Sequence, residues 1–205
     1  YIEKLKYKAN KSGSTILLGI PTALKKEDKV NYANSLHVIG KGSGLHLKQH
    51  LVLFGEYVPQ IFSRLVTWFS LPLNTHFIKG SSEQKLAVAQ NRPFVSLICF
   101  ELAFEDIIRS QLPMGQWIVS ISDDAGFGKT IQPYQQLQIA QARSLQTGRY
   151  QIVANNNGLS SIITPSGEII RSLPFFYEGI LHGSIVPITD STPWVSLGNK
   201  PIYFI

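Results

Sequence analysis

Three apolar, β-favouring runs each break off at a polar cluster, and this pattern constrains the fold more than any other feature of the chain. Phe94-Val95-Ser96-Leu97-Ile98-Cys99 leads into Phe100-Glu101. Trp117-Ile118-Val119-Ser120-Ile121-Ser122 leads into Asp123-Asp124, and Gln151-Ile152-Val153-Ala154 into Asn155-Asn156-Asn157-Gly158. Runs this apolar predict buried strands, and the continuous one ending at Cys99 predicts burial on both faces. Helical patterns lie between the runs. Phe104 to Leu112 puts Ile107, Ile108 and Leu112 on one stripe. Pro133 to Thr147 puts Leu137, Ala140, Ser144 and Leu145 on one side, with Gly148 where a C-terminal cap belongs. Strands joined through helices predict an α/β layered domain. In such sheets ligands sit at the carboxyl ends of strands, which is where these polar clusters fall.

The remaining elements are read in the same way. Thr15 to Ile20 predicts a buried strand ended by Pro21, and Ser35 to Ile39 one stopped by Gly40, Gly42 and Gly44. Leu159 to Thr164 and Glu168 to Ser172 flank Pro165-Ser166-Gly167 and predict a hairpin. Ile180 to Val186 predicts a last strand. Leu45 to Gln90 is loop-rich, with only Tyr57 to Ser70 helical in pattern.

With 205 residues and 44% hydrophobic content, the chain can bury one sizeable core. That composition excludes a disordered tail, a collagen-like chain and a small disulfide scaffold. The net charge of +6, from 19 Lys+Arg against 13 Asp+Glu, suits an anionic partner such as a membrane surface or nucleic acid, or a solvated basic surface. A single cysteine, Cys99, excludes an internal disulfide and a cysteine-rich zinc site. The five histidines are scattered without zinc spacing, and there is no glycine-rich phosphate loop. Tyr1-Ile2-Glu3-Lys4-Leu5 does not resemble a signal peptide. Pro201-Ile202-Tyr203-Phe204-Ile205 begins an apolar run, but no stretch reaches the roughly 18 apolar residues that span a bilayer. A piece of a longer protein is expected.

Four clusters can carry chemistry. Cys99 is either a packed small hydrophobe or a thiol at a strand end facing the next helix, where a dipole and a nearby ammonium favour thiolate. In Lys48-Gln49-His50-Leu51-Val52-Leu53-Phe54-Gly55-Glu56 an apolar frame desolvates Lys48 and Glu56, which favours a pair between them; an exposed lysine and glutamate on a loop is the alternative. Asp123 and Asp124 read as turn-capping carboxylates ahead of metal ligands. Asn155-Asn156-Asn157-Gly158 suits a tight turn that supplies hydrogen bonds.

Taken in order, these clusters resemble the carbon–nitrogen hydrolase (nitrilase) superfamily. Within it they resemble the lipoprotein N-acyltransferase branch. The matching segments are Asn31 to Ser35, Lys48 to Pro59, Ile98-Cys99-Phe100-Glu101, Asp123 to Gly128, Gln138-Ile139-Ala140 with Arg143, Gly148 and Arg149, Asn156-Asn157-Gly158, and Thr192-Pro193. The string His50 to Pro59 is specific to the acyltransferase branch. The resemblance implies a four-layer αββα sandwich, N-terminally truncated, over residues 1–190. Residues 191–205 would then form the connection to, and start of, a C-terminal membrane helix. It implies a Glu-Lys-Cys triad in which Cys99 is the nucleophile and Lys48 the catalytic lysine. Glu56 would be a further glutamate near that lysine, and Glu101 one beside the nucleophile. The general-base glutamate would precede the Gly19-Ile20-Pro21 strand by several tens of residues. Glu3 lies too near that strand to replace it, so this segment alone would lack its base.

The implied partners are a phospholipid acyl donor, a diacylglyceryl apolipoprotein acceptor and a membrane, with no nucleic acid, no cofactor and no metal. The implied location is the bacterial inner membrane, with the catalytic domain on the periplasmic side. Gly126 stands where the family usually has Trp, Leu53 where it has Pro, Gln136 where it has His, Gln146 where it has Glu, and Val153 where it has Arg. The alternatives are a soluble amidase of the same superfamily or an inactive remnant.

Overall fold

The computed structural model describes residues 1–26, 29–59, 61 and 77–200. Its frame is two sheets. The smaller is built from β1 (Thr15–Lys26), β2 (Lys29–Gly40) and β4 (Leu45–Leu47), antiparallel in the order β1-β2-β4. The larger contains β3 (Gly42–Ser43), β5 (Ala87–Ala89), β6 (Arg92–Ile98), β7 (Ile118–Asp123), β8 (Gln151–Asn156), β9 (Ser160–Ile163) and β10 (Ile169–Leu173). Its order is β10-β9-β8-β7-β6-β5-β3. The central trio β6, β7 and β8 is parallel, and the flanking pairs are antiparallel.

The apolar runs account for this arrangement. β6 sends Val95 and Leu97 to one face and Phe94 and Ile98 to the other, and all four are buried. On the first face Val95, Leu97, Ile118, Val153 and Ile163 pack with Ile107 and Ile108 of helix α2 (Glu105–Ser110) and Ala140 of helix α3 (Gln132–Thr147). On the second, Phe94, Ile98, Trp117 and Val119 meet Leu36, Leu17 and Val38 of the smaller sheet. Phe94 and Trp117 stack there with ring centroids 4.8 Å apart. The core is therefore two apolar layers, one between the sheets and one beneath the helices. The parallel strands end together, with Ile98 opposite Ile121 and Asp123 opposite Asn156. All three polar clusters thus lie at one edge, as expected.

Several expectations need correction. Pro21 does not end β1, which continues to Lys26. Among the described residues β1 lies at the edge of its sheet, and an edge tolerates a residue without an N–H. Residues Thr15 to Ile20 are half-buried or exposed rather than buried. The loop-rich stretch from Leu45 to Gln90 contains β4 and β5. Ile180 to Val186 joins no ladder among the described residues, and Ile180 and Val186 are exposed. Ile185 packs on the inter-sheet layer, and Ile188 N–H donates to Gln116 O at 2.9 Å. Side-chain packing and single anchors hold this segment in place of strand pairing.

Of the expected helix from Tyr57 to Ser70, Tyr57 to Pro59 are non-helical, with Tyr57 bridging Leu53. Its remainder, apart from Ile61, lies outside the described residues, as does the Ile202 to Ile205 run. Helix α1 (Ile2–Ser12) has no counterpart in the sequence reading. It buries only Ala9, which sits so close to Gly40 that a Cβ there would lie 2.6 Å from the Ala9 methyl. A short helix, α4 (Pro193–Leu197), follows Thr192, whose Oγ1 accepts from Val195 N–H at 3.2 Å.

Candidate active site

Cys99 stands where β6 gives way to a 3₁₀ turn spanning Cys99–Ala103. Its φ of +54° is a left-handed conformation that non-glycine residues seldom adopt. Such a residue persists only where its surroundings over-determine it, and two anchors do so here. The first is Glu101, fully buried. Its Oε2 accepts from Ile98 N–H at 2.8 Å and from His46 Nε2–H at 3.0 Å, and its Oε1 accepts from Gln49 N–H. One carboxylate therefore ties the residue before Cys99 to the residue after Lys48. The second anchor is Arg143 of α3. Its Nε donates to Leu102 O at 3.0 Å and its Nη2 to Ala103 O at 2.8 Å. Its Nη1 donates to Gln146 Oε1 at 2.7 Å and lies 3.3 Å from Glu105 Oε1.

Lys48 is 1% exposed. Its N–H donates to Asn34 O at 2.8 Å, which fixes the backbone to β2. Its Nζ donates to both oxygens of Glu56, at 2.7 and 2.8 Å. Eight positions separate the two residues, and a tight turn closes the gap, with Glu56 N–H donating to Val52 O at 2.9 Å. Glu56 also accepts from Val52 N–H at 2.7 Å and from Asn34 Nδ2. The expected pair therefore forms, and it carries the extra hydrogen bonds that a buried ion pair needs to offset desolvation. Asn34 serves both partners. Its role went unread because a lone polar residue in an alternating strand carries no distinctive pattern.

Val52, which braces Glu56, also lines a cavity of about 300 Å³. Cys99, Phe100, Phe127, Gln136 and Ile139 share that cavity, whose wall is mainly apolar. The structure thus brings Cys99, Glu101, Lys48 and Glu56 into one connected region through Gln49 and Val52.

The other clusters act as turns. Asp124, 1% exposed, accepts from Ser122 Oγ at 2.8 Å and from Asn155 Nδ2, while its N–H donates to Asn156 O at 3.0 Å. Asp123 Oδ1 accepts from Ala125 N–H at 3.0 Å. Asn157 is left-handed, with φ +57°. These bonds clamp the ends of β7 and β8 together. No group of residues suited to a metal occurs among the described residues. His50 stacks on Phe104 with centroids 3.9 Å apart, outside the lysine–glutamate network. His37 bonds Thr22 Oγ1 at 2.7 Å on the smaller sheet, and burial holds its pKa below the usual value.

The two-sheet sandwich thus carries a left-handed cysteine at a parallel strand's end, joined through hydrogen bonds to buried Lys48, buried Glu101 and half-buried Glu56. The chain belongs to the carbon–nitrogen hydrolase family, whose match covers residues 1–189. It is similar to apolipoprotein N-acyltransferases of Pseudomonas aeruginosa (35% identical over 98% of this chain and 40% of that protein) and of Coxiella burnetii (37%, over 98% and 41%). The chain spans about two fifths of the length of these curated relatives.

Among solved structures it resembles an amidase from Nesterenkonia, with a TM-score of 0.62 and 16% identity, over 99% of this chain and 71% of the amidase. It also resembles the Caenorhabditis elegans NitFhit protein, with a TM-score of 0.64 and 14% identity, over 100% and 49%. These last two likenesses concern the fold alone.

Proposed function

We propose that this chain carries the catalytic domain of an apolipoprotein N-acyltransferase. It moves an acyl chain from a phospholipid, through a thioester on Cys99, to the N-terminal amine of a diacylglyceryl-cysteine lipoprotein. The observation that carries the reading is the placement of Cys99: a left-handed residue on an apolar cavity, braced by Glu101 and tied to the Lys48–Glu56 pair. Similarity to bacterial enzymes of that name supports it.

In the first step the Cys99 thiolate attacks the ester carbonyl carbon. The C–S bond forms, the acyl–oxygen bond breaks, and the lysophospholipid oxygen leaves with the proton that the general base took from the Cys99 thiol. The Lys48 ammonium and the Phe100 N–H stabilise the oxyanion, and one such donor is typically worth about 2.7–4 kcal/mol. Glu56 keeps Lys48 charged and fixed. Glu101 holds the turn and does not react. In the second step the lipoprotein amine attacks the thioester, a C–N bond forms, the C–S bond breaks, and the amine's proton returns to sulfur through a general base. The resemblance puts that base ahead of Tyr1.

Residues 1–190 form the catalytic domain in this reading, and 191–205 the connection to a membrane helix. No helix among the described residues is long and apolar enough to cross a membrane. The domain faces the periplasm at the inner membrane, where the net charge of +6 favours an anionic lipid surface.

The test is intact mass of the full-length protein in detergent after incubation with phospholipid alone. A gain of one acyl chain, mapped to Cys99 and released by hydroxylamine, is expected. Cys99→Ser should lower transfer by at least about a thousandfold while the domain stays folded. Full transfer by Cys99→Ser, or a Cys99 inert to acyl donor and thiol reagents alike, overturns the proposal.

A further inference from the structure

The α3 wall of the Cys99 cavity carries an unfinished hydrogen-bond arrangement. Gln132 and Gln136 both line the cavity, one helical turn apart on the same face. Gln132 Nε2 donates to Gln136 Oε1 at 3.0 Å. The remaining ends, Gln132 Oε1 and Gln136 Nε2, are buried and have no partner among the described residues. Gln136 itself is 8% exposed. Turning both amides over reverses the internal bond and leaves the same inventory: one free carbonyl acceptor and one free NH₂ donor. A buried polar group without a partner is unfavourable, and native proteins seldom leave two side by side. The terminal torsion of glutamine is soft, so both ends can turn toward a molecule occupying the cavity.

We infer that Gln132 and Gln136 form a recognition pair for the backbone of the acceptor polypeptide, engaging the N–H and C=O of one extended residue beside Cys99. The inference rests on the acyl-transfer reading and deepens it by assigning the acceptor subsite. The complementarity is chemical. An extended residue presents its own N–H and C=O on one side of the chain, as in a hydrogen-bonded pair of antiparallel strands. That is one donor and one acceptor, the counterpart of the inventory on α3. The ester and phosphate groups of a phospholipid offer acceptors only, and would leave the glutamine carbonyl buried and unpaired. An ammonium headgroup would bring a full charge against a mainly apolar wall, which is costly without an anionic partner.

The experiment compares two acceptor lipopeptides. One is the natural diacylglyceryl-cysteinyl peptide. The other carries an ester in place of its first peptide bond, which deletes one N–H and keeps the carbonyl. Dissociation constants are measured by fluorescence anisotropy on the full-length protein in detergent, and acyl transfer is followed in parallel. The parent protein should bind the amide peptide about tenfold more tightly, as loss of one buried hydrogen bond implies. In Gln132→Met/Gln136→Met, chosen because methionine matches glutamine in length and helix propensity, the ratio should fall below about twofold.

Gln136→Met alone, a milder change, should give an intermediate ratio and serves if the double variant does not fold. A parent that binds both peptides equally, or a variant that keeps the parent's ratio, overturns the inference. Absence of any thioester on Cys99 in the same preparation overturns the acyl-transfer reading instead. The two failures are therefore separable.

Discussion

The hydrogen-bond network behind Cys99 and the α3 wall of its cavity are built on opposite plans. In that network both carboxylates are well supplied with donors: Glu101 takes three, and Glu56 takes Lys48, Val52 N–H and Asn34. On the α3 side the Gln132–Gln136 pair is half satisfied. A saturated network has one low-energy arrangement and holds reacting groups where they must be. An unsaturated pair has somewhere to go when a substrate arrives. The contrast separates the part of the site that positions chemistry from the part that reads a partner.

Three substitutions test how deep the division runs. Glu101→Ala should have the largest effect. It strands His46 Nε2–H and the N–H groups of Gln49 and Ile98 without an acceptor, at about 1–3 kcal/mol for each buried group. Stability in urea should fall by about 3–5 kcal/mol. A loss under about 1 kcal/mol would mean that Glu101 does not brace the turn.

Arg143→Lys ranks second. It asks whether α3 also has a rigid part, because Arg143 grips the Cys99 turn from the same helix that carries the open pair. Lysine can hold one carbonyl but cannot span Leu102 O and Ala103 O together, so a loss of about 1–2 kcal/mol is expected in thermal melts. An unchanged melting temperature would leave Glu101 as the sole brace.

His37→Gln is the smallest and lies outside both regions. Burial holds the folded-state pKa of His37 below 6.5, so on acidification the unfolded chain takes up the proton first. The benefit of a neutral His37 is present above about pH 6.5 and is lost as pH falls toward the lowered value. His37→Gln should flatten that slope, measured as urea midpoints across the window. An unaltered slope would assign the acid sensitivity to another group.

Much of this layout was legible beforehand. The continuous apolar runs gave β6, β7 and β8 and their shared carboxyl edge, because a strand buried on both faces has no polar alternation to misread. The Pro165-Ser166-Gly167 turn gave the β9–β10 hairpin. Desolvation by the apolar frame favoured pairing of Lys48 with Glu56 but left an exposed loop as the alternative, and the three-dimensional fold decides for the pair. Less accessible was whatever depends on long-range geometry. Glu101 meets Gln49 across more than fifty residues of sequence, and Asn34 meets Glu56 across more than twenty. Neither separation leaves a local period. Ile180 to Val186 is β-favouring in composition, yet its side chains dock on the core without a neighbouring strand, so propensity named a ladder that packing did not require. Helix α1 buries one alanine, and its stripe of Ile2, Leu5 and Ala9 is short and set among charged residues.

The proline within β1 has a consequence for how copies of this chain meet. β1 borders the smaller sheet over twelve residues and would otherwise offer a long row of backbone donors and acceptors to any second strand. Pro21 removes a donor from the middle of that row, and Lys25, near its end, adds a charge that a stacked neighbour would have to confront. Among the described residues, Pro21 and Lys25 thereby make this border a poor template for edge-to-edge pairing.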